Sequence, residues 1–110
     1  WNNMDDLTKE QKHLLVSMYK EVLNRQPTLS MEDANKFDSS DQLIELFSLN
    51  MSSDYVSDLC WKLHSNGYIQ CYSGDDLAND ISLSDKTIVY MENRFKNGLK
   101  DVLSFLSNFI

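Results

Sequence analysis

Three side chains stand at spacings that could do chemistry: Cys60, His64 and Cys71. Cys60 and His64 fall at i and i+4, neighbours on a helix surface, and Cys71 follows on a segment of strand character. A thiol beside an imidazole can serve as nucleophile and base, and three such groups could hold zinc. The spacing fits no zinc box, a fourth ligand is not evident, and no loop offers an oxyanion hole. Cys60 falls instead on an apolar helical stripe, where a thiol packs as a small hydrophobe. Asp75, Asp76 and Asp80 invite comparison with a calcium loop. An EF-hand needs acids at alternating positions, a glycine at the sixth and a closing bidentate glutamate. Those are missing, which leaves a solvated turn. His13 stands alone on a helix and reads as structural. The expectation is a protein that is not an enzyme, with no catalytic, metal or cofactor site.

The elements that position these residues follow from caps and periodicity. Thr8 with Gln11 forms a capping box, and Leu14, Leu15, Met18, Tyr19, Val22 and Leu23 then recur at helical spacing. A first helix is predicted over 9–24, ended by the Gln26–Pro27 step. Ser30 and Asp33 cap a short turn. Ser39 with Gln42 caps a second helix through Leu43, Ile44 and Phe47. Ser52 or Ser53 caps a third, which runs to about Ser65 and stops at Asn66–Gly67. The period then switches to two. Tyr68–Tyr72 reads as a strand, Ser73–Asp76 as a turn, and Asp80–Leu83 as a second strand. Ser84 caps a last helical region.

This order predicts a mostly helical α+β chain with a two-stranded ribbon. At these lengths it resembles the winged helix-turn-helix family, with residues 38–97 and the first helix taking part. Leu59, Leu63, His64, Ser65, Asn66, Gly67, Tyr68 and Ile69 look like the family's third helix running into its first wing strand. Ile81-Ser82-Leu83-Ser84-Asp85-Lys86 looks like the return strand and the next helix start. Many members carry Leu-Thr-x-x-Gly there, whereas this chain has Ser84 for the threonine and Thr87 for the glycine. The overall likeness is to small bacterial and phage winged-helix proteins. It implies three helices, a wing, and a third helix that in DNA-binding members enters the major groove.

Charge speaks against that use. The net charge is −7, and residues 38–85 hold nine acids against the single base Lys62. Val56, Leu59, Cys60 and Leu63 form the buried stripe of the third helix, within about 100° of one another. Asp54, Asp58, Trp61 and Ser65 lie opposite, with Ser57 beside them. Duplex binding needs cations on the approaching face, and the wing adds Asp75, Asp76 and Asp80. Trp61 on a solvent face would leave a large apolar area in water, and interface hot spots are enriched in tryptophan. Two coverings compete for it: the wing or region 27–38 of the same chain, and a partner. The expected docking face is Trp61, Asp54, Asp58, Ser57, Ser65, Asp75 and Asp76, for a protein partner of basic character. The alternative is a DNA-binding transcriptional regulator that uses Lys9, Lys12, Lys86, Arg94 and Lys96.

Length and composition fit one globular domain: 110 residues, 42% apolar and 25% charged. Trp1-Asn2-Asn3 reads as a foreign or frayed leader, with residues 4–97 the winged-helix domain and 98–110 a helical extension. No apolar run approaches the roughly 20 residues that span a bilayer, and two cysteines fit a reducing cytosol, so a cytoplasmic protein is expected. Ile88, Met91, Phe95, Leu99, Val102, Leu106 and Phe109 form a near-heptad seam. An unbroken helix over 85–109 would be about 37 Å long and would pair with a second copy through Leu99, Val102, Leu106 and Phe109. A break at Gly98, with the last helix folded back on the first, is the competing expectation.

Overall fold

In the computed structural model, Met4 and residues 6–108 are described. The leader 1–3 and Phe109 therefore lie outside the described residues. Helices α1 (Lys9–Arg25), α2 (Met31–Ala34), α3 (Ser40–Phe47) and α4 (Ser53–Ser65) are followed by strands β1 (Ile69–Gly74) and β2 (Leu77–Leu83). Helices α5 (Asp85–Arg94) and α6 (Leu99–Ser107) complete the order. The fold is α+β and mostly helical, with one two-stranded antiparallel sheet among the described residues. The chain divides into two compact units. One comprises the segment up to Ala34 with the segment from Asp85 on, and the other Asn35–Ser84.

In the first unit α1 opens on the predicted capping box. Thr8 N–H donates to Gln11 Oε1 at 2.9 Å, and Gln11 N–H to Thr8 Oγ1 at 3.2 Å. The helix ends at Gln26, whose extended backbone is what a following proline demands. Arg25 ties its last turn to α2, pairing with Glu21 at 3.0 Å and donating to the Ala34 carbonyl at 3.0 Å.

The C-terminal region corrects the unbroken helix. The chain leaves the helical path after Arg94, turns through Gly98 at φ 64 and ψ −130, and restarts at Leu99. Both α5 and α6 contact α1, so α6 folds back on it. The turn is held by aromatic packing: Phe95 stacks on Tyr19 at 6.3 Å and meets Phe105 edge-on at 5.5 Å. The Arg94 guanidinium lies over the Phe95 and Phe105 rings, at 5.6 and 5.4 Å. Asp101 accepts from the Asn97 N–H at 3.0 Å, across the start of α6.

In Asn35–Ser84 the predicted caps are present. Ser39 Oγ accepts from Gln42 N–H at 3.3 Å, and Ser52 Oγ from Tyr55 N–H at 3.2 Å. Helix α4 stops at Asn66 and Gly67, where φ 81 at the glycine lets Tyr68 N–H return to the Leu63 carbonyl at 2.9 Å. The hairpin turn is Asp75–Asp76, with φ 52 and 63, between the paired Gly74 and Leu77. Positive φ at both central residues is the requirement of a type I′ hairpin. The register shifts between Gln70 and Tyr72, and Asp80, at φ 50, is the extra residue on β2.

That bulge changes the phase of the strand. Ala78 is buried, and strict alternation would turn Asp80 and Ser82 inward; instead Ile81 and Leu83 are buried and Asp80 is exposed. The edge of β2 away from β1 is also closed. Phe37 N–H donates to the Ile81 carbonyl at 2.8 Å, and the Phe37 carbonyl accepts from Ile81 N–H at 3.0 Å. The Asn35 side-chain amide donates to the Leu83 carbonyl and accepts from Leu83 N–H, both at 2.9 Å. It takes the place of a strand residue.

Candidate functional site

The expected docking face sits on α4 and the hairpin, both within Asn35–Ser84. Helix α4 presents Val56, Leu59, Cys60 and Leu63 to the core, as the helical stripe requires. On its other side Asp54, Asp58 and Ser65 are exposed, as are Asp75 and Asp76 at the hairpin turn. Trp61 is only partly exposed. Its ring meets His64 edge-on at 5.8 Å, and His64 Nδ1 lies 3.3 Å from the Ile69 carbonyl. The indole therefore offers only part of its area to the face.

Ser57 is a correction. It is buried, and its Oγ accepts from the Ala78 N–H at 3.1 Å, pinning β2 to α4. A hydroxyl committed to a buried backbone donor is not available to a partner. Tyr55 and Tyr72, which the sequence reading did not single out, are 43% and 63% exposed. Each had an aromatic type and a solvent-facing position as its signal, but both were read only as helix and strand content.

Electrostatics give the unit its character. Asn35–Ser84 holds eight carboxylates and two lysines, for a formal charge of −6. All eight carboxylates, from Asp38 to Asp80, are exposed.

The thiols are held differently. Cys60 and Cys71 are both buried and unbonded. Burial, and after it the neighbouring Cys71, pushes the Cys60 thiol up to about 12; burial also raises Cys71. A thiol held protonated is a poor nucleophile. Among the described residues no group of three His, Cys, Asp or Glu side chains is placed to hold a metal ion.

The C-terminal seam is divided by the fold-back. Val102, expected at a dimer interface, is fully buried within the chain and is corrected to core. Leu99 is 37% exposed and Leu106 half-buried, and Leu103, outside the expected set, is 47% exposed. Among the described residues no helix is long and apolar enough to cross a membrane. No protein-family model, curated protein or solved structure matches the chain.

Proposed function

We propose that this chain is a non-enzymatic winged-helix module that binds a basic segment of a partner protein through α4 and the hairpin turn. Helices α1, α3 and α4 followed by the β1–β2 hairpin supply the element order of that family. The Phe37 bridge to Ile81 closes the outer edge of β2. The single observation that carries the functional reading is the exposed carboxylate set of Asn35–Ser84. Asp54 and Asp58 lie on the outer side of α4, and Asp75 and Asp76 at the hairpin turn. In a DNA-binding member these two elements approach phosphates, and carboxylates there repel a duplex. A lysine- or arginine-rich segment is attracted by the same groups. Tyr55 and Tyr72, both exposed, and the partly exposed Trp61 add aromatic area of a kind suited to guanidinium groups.

The test sets an arginine-rich peptide against a random DNA duplex, each fluorescently labelled, at low salt. The peptide should bind and shift the amide resonances of Asp54, Asp58 and Trp61, and the duplex should not bind. Asp54→Asn with Asp58→Asn should weaken the peptide about tenfold, the loss of two close charge contacts. Tight duplex binding with a steep salt dependence would overturn the proposal. It would favour a DNA-binding regulator that works through the cations outside Asn35–Ser84.

A further inference from the structure

We propose that residues 96–98 are a hinge about which α6 exchanges between copies of the chain, α6 of each docking on α1 of the other. The inference is independent of the acidic docking face. The break in the helical path is short. Phe95 N–H still donates to the Met91 carbonyl at 2.8 Å, and Val102 N–H to the Gly98 carbonyl at 3.2 Å, both at helical spacing. Only Lys96, Asn97 and Gly98 lie between those bonds. Lys96 and Asn97 are exposed, and a Cβ at Gly98 would meet nothing within 4 Å, so no packing obstructs a straightened path there.

The two sides of the hinge are in phase. Met91, Phe95, Leu99, Val102 and Leu106 follow steps of four, four, three and four residues. One helix through 96–98 therefore keeps them on a single stripe. Straightening costs the contacts that α6 makes within its own chain. Val102 is fully buried, and the Phe105 ring meets Phe95 at 5.5 Å. In a straight helix those two phenylalanines stand about 15 Å apart and cannot touch. An opened monomer thus leaves Val102 and both rings in water, which is unfavourable for large apolar side chains.

That cost identifies the occupant. The surface uncovered on α1 and Phe95 is already shaped to α6, and a second opened copy carries that same helix. Exchange restores each closed contact between copies, the two-fold route of domain swapping. The turn sets the balance. Gly98 holds φ 64 and ψ −130, open to glycine and strained for any side chain. Two bonds from Asn97 to Asp101, at 3.0 and 3.4 Å, keep the turn closed.

The test is to refold the full chain from urea at about 1 mM, dilute it, and separate the species by gel filtration. Gly98→Ala should give a dimer of twice 12.8 kDa that persists on dilution. Its association constant should exceed that of the unmodified chain ten- to a hundredfold, because only the closed turn carries the strain. Should that variant fail to refold, Asp101→Ala, which frees Asn97, gives the same reading. Two glycines inserted after Gly98 relax the turn and should hold the chain at monomer mass. In a dimer of differently isotope-labelled copies, the Phe95–Phe105 contact should appear between copies and not within one. Three results would overturn the proposal: a Gly98→Ala chain that refolds and stays monomeric, an inserted variant that dimerises equally, or a dimer whose Phe95–Phe105 contact remains within each copy.

Discussion

Replacing Ser57 with alanine should destabilise the protein by about 1–2 kcal/mol, whereas the same change at Ser40 should leave it as stable or more so. The two serines share chemistry and burial, at 5% and 0% exposure, and both are helical. They differ in what the hydroxyl meets. Ser57 Oγ accepts the Ala78 N–H at 3.1 Å, and Ala78 is fully buried. Without that oxygen the amide is stranded away from water, a cost of about 1–3 kcal/mol. The better helix propensity of alanine returns at most about 0.5 kcal/mol. Ser40 Oγ is buried with no hydrogen-bond partner. Its removal deletes an unsatisfied polar group, so desolvation and propensity both favour alanine.

Urea unfolding followed by circular dichroism measures both changes. Equal slopes against urea would show that the same surface is exposed in each variant. The Ser57 change should lower the melting temperature by roughly 4–10 °C for a chain of this length. Exchange of the Ala78 amide with solvent should accelerate in the Ser57 variant alone. Equal losses from the two substitutions would refute the reasoning, because burial without regard to partner would then set the cost.

Gly98→Ala should cost about 1–3 kcal/mol, because a side chain at φ 64 and ψ −130 is strained. A Cβ there meets nothing within 4 Å, so a neutral result in denaturant would mean that the backbone, and with it the 95–98 turn, rearranges freely. Cys60 predicts a pH dependence. Its thiol rises from 9.0 to about 12 on folding, so its contribution is complete below pH 9 and is lost as the pH climbs towards 12. The slope is about 1.4 kcal/mol per pH unit. A Cys60→Ala variant compared over pH 8–11 should show a flatter decline, and parallel curves would exclude a buried thiol.

The helices were legible wherever local chemistry decides them. Thr8, Ser39, Ser52 and Gly67 cap or stop their helices by contacts within a few residues, and those signals are written in the chain. The hairpin was half legible. Ile81 and Leu83 alternate as a strand should, but Leu77–Asn79 fall outside that alternation because the bulge at Asp80 breaks the period between the two halves. Asn35 and Phe37 gave no signal at all, since one acts through its side-chain amide and the other through a single backbone bridge. Ser57 sits just off the apolar stripe of α4, and its partner is a backbone group 21 residues away. No helical period records that.

Charged and apolar positions differ in how far a sequence can be trusted to place them. A carboxylate without a partner is too costly to bury, and all eight acids of Asn35–Ser84 lie at the surface. The same certainty does not attach to leucine and valine, which a core and an interface accept alike. The seam beyond Gly98 illustrates it: steps of three and four residues keep phase whether the helix continues or folds back. The fold-back then gives Val102 to the core and leaves Leu99 and Leu103 exposed. The acidic face thus rests on residues whose position solvation enforces. The division of the α6 positions between core and surface is one that only the fold could assign.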